Sequence, residues 1–216
     1  GGGIFVVGGN ATFNSADVVN NAATVSGGGL FASAGTLTIN NTTFSANTAP
    51  ADSGGGVAIT GTTVPANFRN TTISGNTGDG MVVSGGVVNL THATVAKNIG
   101  DGVQQTGGTV NALNSLFASN SVPDFNGTVT SLGFNLFESS AGVVGTVATD
   151  ILNQMARLAP LGNYGGPTQT HALLPGSFAL NAVLVDAAGF AFDQRGVARP
   201  SAAPQPAFKD IGDATY

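Results

Sequence analysis

Gly27-Gly28-Gly29-Leu30-Phe31-Ala32-Ser33-Ala34-Gly35-Thr36-Leu37-Thr38-Ile39-Asn40-Asn41-Thr42-Thr43-Phe44-Ser45-Ala46-Asn47 is the stretch on which the fold turns. Within it, apolar and small polar residues alternate through Thr36-Leu37-Thr38-Ile39-Asn40 and again through Thr42-Thr43-Phe44-Ser45. Period two is the pattern of a strand and puts Leu37, Ile39 and Phe44 on one side. The glycines ahead of it and the asparagine behind it are corner residues, since both tolerate the left-handed backbone region.

The same block recurs. Glycine clusters open at Gly1, Gly27 and Gly54, and reduced versions follow at Gly80 and Gly102, giving spacings of 26, 27, 26 and 22 residues. In step with them runs an apolar residue three before an Asn: Val18 to Asn21, Phe44 to Asn47, Ile73 to Asn76, Val95 to Asn98 and Phe117 to Asn120. Leu90 and Val95 continue the apolar row of Leu37, Ile39 and Phe44. A block of this length holds about three short strands and cannot bury its apolar row alone, so each must stack on the next. The expectation is an all-β parallel solenoid over 1–127, about five coils at ~4.8 Å each, or a rod roughly 24 Å long. Asn47, Asn76, Asn98 and Asn120 should form a side-chain amide ladder that holds one corner, with a ligand-binding polar stripe as the alternative use of the row.

Composition agrees and excludes several partners. Of 216 residues, 33 are Gly and only 8% are charged, six Lys+Arg against eleven Asp+Glu. A surface of Lys/Glu helices is therefore excluded. The net charge of −5 leaves no attraction for nucleic acid or an anionic membrane. No apolar run reaches the ~18 to 20 residues of a membrane helix, and the N-terminus has no basic segment ahead of an apolar one. The first residue is Gly, which suggests a processed product or an excised segment of something longer. The absence of Cys removes disulfides and thiolate metal sites.

From about residue 128 the repeat fades, and 128–216 is expected to be a capping region with most of the charges and six of the nine prolines. Asp150 to Leu158 reads either as a helix or as a loop crossing the solenoid. The Gly-Gly-Gly-apolar blocks followed by Phe-x-x-Asn, as in Gly27 to Leu30 with Phe44 to Asn47, resemble the repeats of polymorphic outer membrane proteins and related right-handed parallel β-helix proteins. The tail, Leu158-Ala159-Pro160-Leu161-Gly162-Asn163-Tyr164-Gly165-Gly166-Pro167-Thr168-Gln169-Thr170-His171-Ala172-Leu173-Leu174-Pro175-Gly176-Ser177, then Asp193-Gln194-Arg195-Gly196-Val197-Ala198-Arg199-Pro200, then Asp210-Ile211-Gly212, resembles the C-terminal region of bacterial β-helix surface proteins of the choice-of-anchor type. The resemblance implies a single-stranded right-handed parallel β-helix with an irregular C-terminal cap, in an exported or cell-surface bacterial protein. It carries no catalytic residues. The chain departs from the family's usual ending after Asp210-Ile211-Gly212, where Asp213-Ala214-Thr215-Tyr216 follows.

Candidate chemistry is sparse, and no catalytic, cofactor-binding or metal residue is assigned. Asp79 and Asp101 each precede a block-opening glycine and should stack on successive coils with Asp52 close by. They are either a solvated turn or a weak Ca²⁺ site. His92, in Leu90-Thr91-His92-Ala93-Thr94, is expected to face solvent, and His171 to be a hydrogen-bonded structural residue. Asp193, Arg195, Arg199 and Asp210 should form a charged network that fastens the tail on itself or onto the last coil. Thr36/Thr38, Thr42/Thr43 and Thr71/Thr72 are expected to face outward, where they could bind ice. Asn10, Asn40, Asn41, Asn70, Asn89 and Asn126 fit Asn-x-Ser/Thr.

The expected function is a non-enzymatic extracellular or cell-surface structural solenoid. With no charged cap ahead of Gly1, its first coil should expose strand edges that pair head to tail with copies of itself, giving filaments or a surface layer. The alternative is an adhesin or glycan-binding passenger displaying loops 47–53 and 61–67. A carbohydrate-active enzyme using Asp79, Asp101 or Asp193 is the weaker one.

Overall fold

The computed structural model describes residues 1–61, 65–121, 123–183 and 189–199. It is an all-β parallel solenoid of about 6 turns. β1 (Ile4–Asn14) and β2 (Asp17–Val19) make the first turn, β3 (Leu30–Asn40) and β4 (Thr43–Ser45) the second, and β5 (Val57–Ile59) and β6 (Ala66–Ser74) the third. β7 (Met81–Ala96) runs round the whole fourth turn; β8 (Val103–Leu113) and β9 (Leu116–Ala118) make the fifth, and β10 (Phe125–Ser131) and β11 (Leu136–Phe137) the sixth. The short β12 (Val143–Val144) and β13 (Ile151–Leu152) lie over the sixth turn as a partial rung. The coil repeat thus extends one turn beyond the expected five. No helix occurs among the described residues, and Asp150 to Leu158 is β13 with the loop that leaves it.

Every pairing between these strands is parallel, and the register explains the alternation. Val18, Phe44, Ile73, Val95, Phe117 and Phe137 stand in one inward column. Leu30, Val57, Met81, Val103 and Phe125 form a second on the next side. All of them are buried in one core with Leu37, Ile39, Phe68 and Leu90. Stacking like on like lets rings pack: Phe117 and Phe137 lie 4.8 Å apart, 5° from parallel. Each such aromatic buried contributes about 2–3 kcal/mol through apolar area removed from water.

Three corners per turn separate the sides. At one, Gly35 has φ 89°, and a Cβ there would strike the backbone of Gly8 and Gly9 in the turn before, so only glycine fits. A second corner stacks left-handed residues: Ser15, Asn41, Asn70, His92, Asn114 and Phe134 have φ between 47° and 54°. The third stacks Asn20, Ala46, Gly75, Lys97 and Ser119, each with positive φ, just ahead of the Asn ladder.

The tail does not simply close the end of the stack. After β13 it turns back and runs as a strap along the outer face of β4, β6, β7 and β9. Near turns five and six the contact is apolar: Leu116, Ala118 and Leu136 pack against Ala156, Leu173, Ala179 and Val183 in a second core. Toward turns two to four it is polar. This overturns the expectation of outward-facing solvent-exposed threonines, because Thr42, Thr43, Thr71 and Thr72 are all 0% exposed, whereas Thr36 and Thr38, on an uncovered side, stay partly exposed.

Candidate functional site

Three polar constellations stand out, and the longest is the amide ladder. Asn21 Nδ2 donates to Asn47 Oδ1 at 3.0 Å, Asn47 to Asn76 at 3.1 Å, Asn76 to Asn98 at 2.9 Å and Asn98 to Asn120 at 2.9 Å. The backbone N–H of each of these donors bonds the same oxygen at 3.0 Å. A second bond from Nδ2 reaches a core-strand carbonyl, as Asn76 does to Phe44 O at 3.1 Å. Every polar atom of a central rung is thus used, as burial demands. The four asparagines expected to ladder do so, Asn21 extends the row at one end, and Asp124 receives the amide of Asn120 at 2.9 Å at the other. A second, outward amide row joins Asn67, Asn89 and Asn111.

Asp52, Asp79 and Asp101 come from consecutive turns, as their positions suggested. Asp79 Oδ1 accepts the N–H of Asp101 at 2.8 Å, Asp101 Oδ2 accepts from Asn126 Nδ2 at 2.8 Å, and Asp52 Oδ1 accepts from Gln104 Nε2 at 3.0 Å. Asp79 and Asp101 are buried, not solvated. Burial pushes both carboxyls above the usual carboxylate range. The Asp101 N–H partly offsets this at Asp79, where the charges of Asp101 and Asp52 push the same way as burial; Asn126 partly offsets it at Asp101, where Asp52 adds to it. Asp79 Oδ2 has no hydrogen-bond partner among the described residues. No group of three or more His, Cys, Asp or Glu among the described residues is disposed to hold a metal ion.

The third constellation is the polar half of the strap. Gln194 Nε2 donates to Thr43 Oγ1 and to Thr168 Oγ1, both at 2.8 Å, and Gln194 Oε1 accepts from Thr72 Oγ1 at 2.9 Å. His171 Nδ1 lies 2.7 Å from Ala159 O, which requires it to donate, so Nε2 accepts from Ser74 Oγ at 2.8 Å. His171 is the hydrogen-bonded structural residue anticipated, and burial lowers its pKa to about 4, with the nearby Lys97 charge acting in the same direction.

The charged network matches one half of the expectation and departs from the other. Asp193 pairs with Arg195 at 2.7 Å and also accepts the N–H groups of Arg195 and Val197, so it fastens the tail on itself. Arg199, 2% exposed, reaches Asn70 Oδ1 at 3.1 Å, on the third turn and not the last. Asp210, Ile211 and Gly212 lie outside the described residues. His92 does not face solvent. It is 0% exposed because it occupies a left-handed corner, where Asn114 Nδ2 lies 3.2 Å away and Phe190 of the strap packs edge-on at 6.1 Å. The corner also buries Asn70, which removes its sequon from solvent. Gln194, the strap's central clasp, is uncharged and carries no signal of its own in the sequence beyond its place inside Asp193-Gln194-Arg195-Gly196.

Between strap and solenoid lies a groove of about 560 Å³ lined by Asn41, Asn70, Phe190, Phe192, Asp193 and Arg195. Phe190 also lies under the Arg69 guanidinium, 5.7 Å from the ring centre. A second cavity of about 390 Å³ is bordered by Ser45, Ser74, Lys97, Gln169 and His171. Comparison with family models, curated proteins and solved structures finds no match. The class that fold and site define is a parallel β-solenoid with a laterally docked strap.

Proposed function

We propose that the chain is a non-enzymatic structural β-solenoid, acting at the cell surface or outside the cell, that self-associates head to tail through its ends. The observation that supports this most directly is the state of β1. It is an 11-residue strand that pairs with β3 along one edge and with nothing along the other among the described residues. Phe5 and Val7 on it are 61% and 58% exposed. A strand edge of this length and apolar character is a template for a further strand, from whichever chain supplies it. The location is supported by the tail's resemblance to surface-protein C-terminal regions and by the low charge of the coil faces. Sedimentation across a wide concentration range with negative-stain microscopy tests it, and filaments or sheets are expected. Monodisperse monomers at high concentration, with the first turn folded by hydrogen exchange, would refute it.

One observation favours a glycan-binding passenger as a second reading. The groove beside Asn41 and Asn70 sets amide groups and the partly exposed Arg195 guanidinium next to Phe192, which is 55% exposed. Hydrogen-bonding groups beside an exposed ring suit a sugar. A glycan array with Phe192→Ala as control decides it: binding lost in the variant supports the reading, and an array with no signal removes it.

A further inference from the structure

The smaller cavity, of about 390 Å³, lies where the strap crosses the third corner of the solenoid. Its floor is the outward column Val19, Ser45 and Ser74, held in register by the parallel pairing of β2, β4 and β6. Beside that column stands the corner stack, whose middle members, Ala46 and Gly75, carry almost no side chain; a Cβ at Gly75 would meet nothing within 4 Å. Leu161, Gln169 and His171 of the strap form the roof. The hollow exists because small corner residues lie under a strap that bridges over them.

Its polar groups are spare in a complementary way. Lys97, the next member of the corner stack, is partly buried and has no carboxylate within ion-pair distance among the described residues. Its one hydrogen bond there is a long one, 3.4 Å to Ala159 O. No acid lines the cavity, and His171, with its pKa of about 4, is neutral at pH 7, so the ammonium is the single charge in the hollow. Ser45 borders the hollow from the outward side of β4; it is 3% exposed, and its Oγ has no hydrogen-bond partner among the described residues. Ser74 Oγ donates its proton to His171 Nε2, so acceptance is what it has left to offer. A cation without a counter-charge and a buried hydroxyl without a partner, in one hollow, are satisfied by a ligand.

We propose that this cavity binds one acid sugar, a uronate whose carboxylate sits on the Lys97 ammonium while its hydroxyls bond Ser45 Oγ and donate to Ser74 Oγ. One cation balances one carboxylate and leaves a sulfate dianion uncompensated. The acceptor at Ser74 calls for a ligand hydroxyl, which inorganic anions and simple fatty acids do not bring. Val19 and Leu161 supply the apolar contact that the C–H face of a sugar ring takes. A volume at the lower end of the roughly 300–1,000 Å³ usual for small-molecule sites suits a single sugar unit. This binding is independent of self-association, and the groove at Phe192 is a separate cavity.

Calorimetric titration of the full chain with sodium galacturonate and sodium glucuronate tests it, with glucose and sodium sulfate as comparison ligands. One or both uronates should bind the wild type, and glucose and sulfate should bind at least about tenfold more weakly, the effect of one charge-assisted hydrogen bond. Lys97→Met keeps the apolar stem and removes the charge, and should weaken uronate binding by the same factor. Ser45→Ala removes no hydrogen bond between described side chains, so it serves should Lys97→Met fail to fold, and it carries the same expectation. Phe192→Ala, in the other groove, should bind like the wild type. A wild type that binds neither uronate overturns the proposal, as does uronate binding that either folded variant leaves unchanged. Sulfate or glucose binding as tightly as a uronate overturns the acid-sugar assignment, and binding lost in Phe192→Ala overturns the choice of cavity. None of these outcomes bears on the sedimentation that decides self-association.

Discussion

His171 Nε2 accepts a hydrogen bond from Ser74 Oγ across 2.8 Å, joining residues 97 positions apart on the strap and on the third turn. This bond ties the strap to the solenoid by a group that titrates. In the folded chain the imidazole has a pKa of about 4, against 6.5 when free. Below pH 6.5 the unfolded chain takes up a proton that the folded chain refuses. His171 therefore contributes full stability above pH 6.5 and loses it as pH falls through 4, by about 3 kcal/mol in all. Urea unfolding at pH 7 and pH 4 should show the loss, and His171→Gln should flatten it.

Asp79 acts in the opposite sense. Its carboxyl is raised by burial and by Asp101 and Asp52, so the folded chain binds a proton more tightly than the unfolded one, and the ionised group is a burden at neutral pH. Asp79→Asn keeps an oxygen for the Asp101 N–H and sets an amide where Oδ2 now has no partner among the described residues. The variant should melt higher at pH 7, by about 1 kcal/mol, with the advantage vanishing in acid. A lower melting point at pH 7 would contradict this account.

Asn76 occupies the middle of the ladder, giving two bonds through Nδ2 and receiving two through Oδ1. Asn76→Ala strands the Asn47 donors and the Phe44 carbonyl in a buried corner. The expected loss is about 2–4 kcal/mol by denaturant unfolding, whereas exposed Asn163→Ala should change little.

Gln194 bonds Thr43, Thr72 and Thr168 at once. Gln194→Ala should free the polar half of the strap and leave the apolar half, around Leu116, Leu136 and Leu173, in place. Hydrogen exchange is the measurement. Faster exchange at residues 168–171 with unchanged protection at 116–118 is expected, and uniform exchange along the strap would refute separate halves.

Period-two alternation and the glycine and asparagine spacings carried the solenoid, its inward columns and the Asn ladder, because stacked identical coils place residues one repeat apart directly over one another. That logic is local plus one period, and a single chain contains all of it. His92 and Thr43 show where it ends. His92 sits in what reads as an alternating strand, yet a left-handed corner interrupts the alternation and the strap covers the side chain. Thr43 is at an outward strand position, and only Gln194, 151 residues later, makes it interior.

Sequence by itself determined the parallel coil, its core columns and the polar ladder, since each rests on contacts between residues at a fixed separation. Tertiary structure alone decided which outer face is covered and where the buried charges sit. Those depend on the strap folding back across four turns, and pairings at separations such as 97, 122 and 151 obey no period that a sequence displays.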